Sequence, residues 1–256
     1  MANKAVHLPV LNFGVTMRKD AWWAGPLVTG IVLVSFIVYA TFRAFENDFF
    51  QAGEYLSPFY SPLIPTSTWG IPFLSPAMLI LPGPASFRLT CYYYRKAYYR
   101  SLVMDPPACA VGEKNKHKNN GETKLLLFQN LHRFAMYVAI VFIALLAHDA
   151  YKALWFVENG VMKFGIGVGT LVMTLNVLLL AGYTFGCHSL RHLVGGSVDS
   201  YSTAPLGQLR LALWKGVTAL NKNHMAFAWM SLFGVALTDL YIRLVATHVI
   251  HDIHLL

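Results

Sequence analysis

The chain has 256 residues, 56% of them hydrophobic and 12% charged, with a mean hydropathy of +0.48. Soluble domains carry about a quarter charged residues, so this composition excludes one and indicates an integral membrane protein. The net charge of +8 would also suit nucleic acid, but the basic residues flank apolar runs and build no separate basic domain, so no nucleic-acid partner is expected.

A helical crossing of the hydrocarbon core needs roughly 17 to 25 residues. The first run that qualifies, about 21–42, is too long for a signal peptide and lacks its small-residue cleavage site, so it reads as a retained span. The second, 71–87, carries Pro72, Pro76, Pro82 and Pro84. Proline removes a backbone donor and kinks a helix, so this run reads as a broken span that continues into the basic, aromatic stretch Cys91 to Arg100 at the interface. A polar segment, 110–123, follows as an expected mobile loop. The remaining spans are 134–157, 164–186 and 225–250. Their continuous apolar character excludes an outer-membrane barrel, whose strands alternate. The expected fold is all-α: a single transmembrane bundle of five helices with the second broken by proline, and no separate soluble domain.

Five crossings put the N-terminus, 88–133 and 186–222 on one face, together with about 16 of the 20 Lys and Arg. Positive residues stay inside, so that face, with the N-terminus and the 110–123 loop, is cytoplasmic. Its exposed surface is too small for substrate chemistry alone, and a soluble partner is expected to dock there.

All three cysteines, Cys91, Cys109 and Cys187, and four histidines, His132, His188, His192 and His224, sit where apolar runs begin or end on this face. His188 and His192 are four residues apart, one helical turn. Thiolate and imidazole together suit zinc or iron-sulfur chemistry. A Rieske-type centre takes two cysteines on one iron and two histidines on the other; the inventory meets that count, without the paired Cys-x-His loops of soluble Rieske domains. The same residues also read as small buried hydrophobes and interfacial hydrogen-bonders. Disulfides are not expected in a reducing cytoplasm. Haem is the other use for such histidines; the inner four offer one pair, whereas the outer face has only His148 and His248 near span ends. Asp239 and Arg243, four apart inside the last span, read as an intrahelical ion pair, since unpaired charge there is costly. The tyrosines and cations of 92–100 read as an aromatic belt with snorkelling bases or as a docking surface near a quinone headgroup.

Several blocks carry a family likeness: Tyr55-Leu-Ser-Pro-Phe-Tyr-Ser-Pro62, the stretch Phe87 to Arg100, Pro106-Pro-Ala-Cys-Ala110, Cys187-His-Ser-Leu-Arg-His192 with Gly195-Gly196, and Leu220 to Trp229 with His224. In these the chain resembles the membrane-anchor subunit of complex II, succinate dehydrogenase or fumarate reductase, in its five-helix actinobacterial form. The resemblance implies a multi-pass subunit of the bacterial inner membrane, partnered by a flavoprotein and an iron-sulfur subunit. It would pass electrons to menaquinone or ubiquinone and hold no succinate-oxidising site of its own. Oligomers of the whole complex are compatible with such a subunit. It further implies a Rieske-type 2Fe-2S cluster in place of haem b. At most four of Cys91, Cys109, Cys187, His188, His192 and His224 then act as ligands, with Cys91 and Cys109 favoured as thiolates and His188 with His192 or His224 as imidazoles. His132, Arg133, Tyr94 and Trp229 become the quinone-binding candidates. A haem b anchor of the same complex remains the alternative; a non-redox anchor or transporter is the reading from another class.

Overall fold

A computed structural model describes residues 12–69, 71, 74–113, 125–158 and 160–255. In lipid every backbone polar group must be satisfied within the protein, so the apolar runs become helices. The first, α1 (Ala24–Glu46), keeps most of its surface open and ends at Asn47 in the left-handed region (φ 50°). A small hairpin follows, β1 (Gln51–Ala52) with β2 (Tyr55–Leu56).

The proline-rich run is helical from Pro76 rather than from residue 71, because Ser75 supplies the cap. Its side chain accepts the Met78 N–H at 3.3 Å, and Pro76 occupies the first turn, where a missing N–H is tolerated. Helix α2 (Pro76–Ile80) meets α3 (Pro82–Thr90) at Leu81, which retains right-handed helical angles. Cys91, in an extended conformation, redirects the chain into α4 (Tyr92–Tyr98) and a π-helical turn at Tyr99–Val103. At one end of this segment Ser75 donates to the Ala44 carbonyl, late in α1, at 2.5 Å. At the other, Ser101 packs beside Gly30, early in α1. Residues 75–103 therefore run alongside α1 from one end to the other. The expected loop at 110–123 lies largely outside the described residues.

Helix α5 (Leu125–Lys152) starts at Leu125 instead of 134. Gln129, Asn130, His132 and Arg133 are polar, yet none breaks a helix, so the helix continues beyond its apolar stretch. It stops before 157 because β3 (Trp155–Glu158) pairs with β4 (Val161–Phe164) across Gly160, φ +76°. The Asn-Gly dipeptide that joins these strands in the sequence is a strong hairpin signal. Helix α6 (Val168–Phe185) ends at Gly186, and the Cys187 sulfur caps α7 (His188–Arg191) by accepting the Ser189 N–H at 3.3 Å. After a π-helical turn at His192–Gly196 comes α8 (Gly207–Lys222), then α9 (His224–Ala246).

Among the described residues four helices, α1, α5, α6 and α9, are long and apolar enough to cross a membrane. Helix α6 packs on α5 and α9, α3 packs on α5, and α8 lies against α6 and α7. One core gathers Cys91, Tyr94, Met136, Tyr183 and Cys187 near the starts of α5 and α9; another gathers Tyr55, Ala150 and Ile242 at the opposite end.

Candidate functional site

Four elements deliver sulfur and imidazole to the first of these cores. Cys91 sits at the α3–α4 junction, Cys187 just past α6, His132 two turns into α5, and His224 at the start of α9. Both cysteines and His132 are buried. The Cys187 sulfur lies 3.1 Å from His132 Nε2, and the Cys91 sulfur 3.8 Å from His224 Nε2. Among the described residues no three His, Cys, Asp or Glu groups converge as a single metal ion would need. The donors meet instead as two sulfur–imidazole pairs.

Aromatic rings fix both imidazoles. Phe87 stacks on His132 with ring centroids 4.7 Å apart, and Tyr183 stacks on His224 at 5.0 Å. Thr90 Oγ1 donates to the Ser86 carbonyl at 2.7 Å and so faces His132 Nδ1, 3.0 Å away, as an acceptor. That places the imidazole proton on Nδ1 and leaves Nε2 a lone pair directed at Cys187. His224 Nδ1 is buried with no hydrogen-bond partner among the described residues. Burial pushes the Cys187 thiol up to about 11, against the lowering pull of the Ser189 and Leu190 N–H groups. Any metal bound there must displace that proton.

The other candidates fall elsewhere. Cys109 is exposed, and its carbonyl accepts from Arg18 at 2.9 Å. His188 and His192 are exposed; His188 follows Cys187 directly in the chain, yet among the described residues no hydrogen bond joins either ring to Cys91 or Cys187. Tyr94 is fully buried and donates to the Ala228 carbonyl at 2.7 Å. Trp229 donates through Nε1 to the Tyr93 hydroxyl at 2.7 Å, and Arg133 is half-buried on α5.

A cavity of about 460 Å³ begins behind the rings that hold the imidazoles. Phe87, Arg88, Tyr183 and Thr184 line its near end; Ala40, Ala44 and Phe59 line the far end, with Phe142 and Leu146 of α5 along the side. None of His132, Arg133, Tyr94 and Trp229 lines it. Arg88, which sequence reasoning passed over as one of many interfacial cations, is the main polar group on its wall. Its guanidinium donates to Tyr94 Oη (2.5 Å), the Ala228 carbonyl (3.2 Å) and Ser231 Oγ (2.9 Å), and it lies over the rings of Tyr94 and Tyr183. The available signal was a lone cation at the end of an otherwise apolar span.

At the opposite end, Asp239 and Arg243 form the ion pair their spacing predicts, at 2.9 Å. Tyr39 and Ser57 donate to Asp239, while Arg243 also reaches Glu46 at 2.8 Å and the Asp48 carbonyl. These charges are answered by protein partners, which is the condition for keeping them inside a bundle.

A model of the family described as actinobacterial succinate dehydrogenase subunit SdhC matches residues 24–248. Among solved structures, a chain of the Mycobacterium smegmatis Sdh1 complex in the apo form is similar, with 40% identity and a TM-score of 0.76. The match covers 91% of this chain and 90% of that one. No curated protein matches.

Proposed function

The chain belongs to the actinobacterial SdhC family, the membrane-anchor subunit of a succinate dehydrogenase complex, and we infer that it carries electrons from a partner subunit to quinone. The observation that carries this reading is the meeting of Cys91, Cys187, His132 and His224 in one core. Two sulfurs and two imidazoles are the donor set of a Rieske-type 2Fe-2S centre. The lone pair of His132 Nε2, aimed at the Cys187 sulfur, gives the set ligating capacity. The residues therefore fit the cluster, with Cys91 and Cys187 as thiolates. Such a centre, when bound, supplies one-electron transfer. Haem ligation is the poorer fit, because each imidazole presents Nε2 to a sulfur rather than to a second imidazole.

The fifth crossing is the run from α2 through α4, which places the cluster end on the cytoplasmic face, where flavoprotein and iron-sulfur partners dock. The apolar cavity takes the quinone: its ring at the end lined by Arg88 and Thr184, its isoprenoid tail toward Ala44 and Phe59. Arg88 is held by three acceptors before any substrate arrives. A fixed positive charge favours the negative charge that develops on a quinone oxygen during reduction. Phe87 and Tyr183 separate the cavity from the sulfur–imidazole pairs and exclude water between them.

The test is iron, acid-labile sulfide and haem analysis of the intact complex, with electron paramagnetic resonance of the reduced form. The expected result is a signal of mixed sulfur and nitrogen ligation that disappears in His132→Ala and His224→Ala and survives in Cys109→Ser. A b-type haem band without that signal would overturn the assignment.

A further inference from the structure

Tyr183, near the end of α6, is enclosed by its neighbours and only 1% exposed. Its ring is clamped on four sides. Phe87 and Tyr94 meet it edge to face, with centroids 5.2 Å and 5.9 Å away. His224 stacks on it, and the Arg88 guanidinium lies 4.9 Å from its centroid. The ring is therefore fixed, yet its hydroxyl has no hydrogen-bond partner among the described residues. A buried donor left unmade is costly, and more so where the surroundings are lipid rather than water. In a native structure such a group calls for an explanation.

Two places lie close enough to use this proton. One is the cavity, whose wall Tyr183 shares with Arg88, and there Arg88 already supplies a fixed positive charge. The other is Cys91, whose side chain is within reach of the hydroxyl. As a thiol, Cys91 is a weak acceptor. As a thiolate, the form in which cysteine ligates a metal, it accepts strongly. The unpartnered hydroxyl thus matches the state of Cys91 that ligation creates. Cys187 already receives the Ser189 N–H at 3.3 Å, and Tyr183 gives Cys91 the counterpart. We propose that the Tyr183 hydroxyl donates to the Cys91 sulfur and raises the reduction potential of the centre that Cys91 holds, an assignment that rests on the cluster of the proposed function. Hydrogen bonds to the sulfurs are among the factors that set the potential of an iron-sulfur centre. The sign follows from charge: one-electron reduction adds negative charge, which the thiolates share, so a donor aimed at a thiolate favours the reduced form. Tyr183 acts through Cys91 and is a positioning residue.

The experiment is a redox titration of the intact complex, followed by electron paramagnetic resonance, on the wild type, Tyr183→Phe and Tyr183→3-fluorotyrosine. Phenylalanine keeps the ring and its four contacts and removes only the hydroxyl. That variant is expected to retain its iron and acid-labile sulfide and to become about tenfold harder to reduce, a fall in midpoint of roughly 59 mV for one electron. Fluorotyrosine keeps the hydroxyl as a stronger donor and is expected to move the midpoint the other way, and its shift decides the matter where the phenylalanine variant does not assemble its centre. A role in packing alone would change iron content or thermal stability and leave the midpoint where it was. An unchanged midpoint in either variant that carries the centre overturns the proposal and leaves the cluster reading standing. Absence of iron and acid-labile sulfide from the wild-type complex overturns both. A raised KM for quinone in Tyr183→Phe with the midpoint unchanged assigns the hydroxyl to the cavity and likewise overturns the proposal.

Discussion

Thr90 shows how one hydroxyl decides what an imidazole can do. Because its proton is given to the Ser86 carbonyl, it can only accept from His132 Nδ1, and the lone pair of Nε2 is left facing Cys187 at 3.1 Å. Thr90→Val keeps the shape and removes the acceptor, so the ring loses both its orientation and its tautomer. Partners of this kind are typically worth about 10 to 100-fold in metal affinity. If the two pairs hold the proposed cluster, the expected outcome is a loss of that order in iron per complex, read by metal analysis and paramagnetic resonance, while Thr90→Ser retains most of it. The residue types of this site were legible in the sequence, since every cysteine and histidine in it stands at the end of an apolar run. Their grouping was not. Cys91 and Cys109 bracket one segment, yet Cys109 turns outward, where Arg18 takes its carbonyl. Cys187 and His132 are 55 positions apart and in contact. Sequence proximity cannot report a meeting made by helix packing.

Among the elements, the approach of α3 to α5 brings Thr90 to His132. Gly83 permits it: a Cβ there would lie 2.7 Å from one Phe142 ring carbon and 3.2 Å from a Val138 methyl on α5. Small residues let membrane helices approach closely in this manner. Gly83→Val is expected to wedge the two helices apart, destabilise the complex by about 1–3 kcal/mol, and lower thermal stability along with retention of the proposed cluster. Gly216→Ala, on open α8, meets nothing within 4 Å and is expected to be neutral or stabilising by about 0.5–1 kcal/mol. Thermal unfolding of the two variants separates packing from helix propensity. The long apolar helices were legible because a bilayer demands them. The early start of α5 was not, because hydropathy records contact with lipid and Gln129 to Arg133 are helical without being apolar. The β3–β4 hairpin had its Asn-Gly signal in plain view, and α8 was hidden by an amphipathic pattern too polar to count as a span.

For the whole molecule, orientation follows from crossing parity and charge. If residues 75–103 cross with α1, α5, α6 and α9, the sulfur–imidazole core, Cys109 and about 16 of the 20 Lys and Arg lie on one face, and the β3–β4 hairpin lies on the other. If that run did not cross, α5 and the elements after it would reverse and the charge asymmetry would vanish. The chain has three cysteines, and Cys91 and Cys187 are buried while Cys109 is exposed, so a thiol reagent that cannot pass membranes has one native target. Labelling of Cys109 is expected in inside-out vesicles and not in intact spheroplasts. Glu54, exposed between β1 and β2 and so between α1 and the run from α2 through α4, gives the complementary site: in Cys109→Ser with Glu54→Cys, labelling should occur in spheroplasts and not in inside-out vesicles. Reaction of both positions from one side would mean that an even number of crossings separates them, removing the run from α2 through α4 as a span. Reaction of each from the face opposite to that expected would keep the five crossings and invert the chain, moving the docking face for the partner subunits with it.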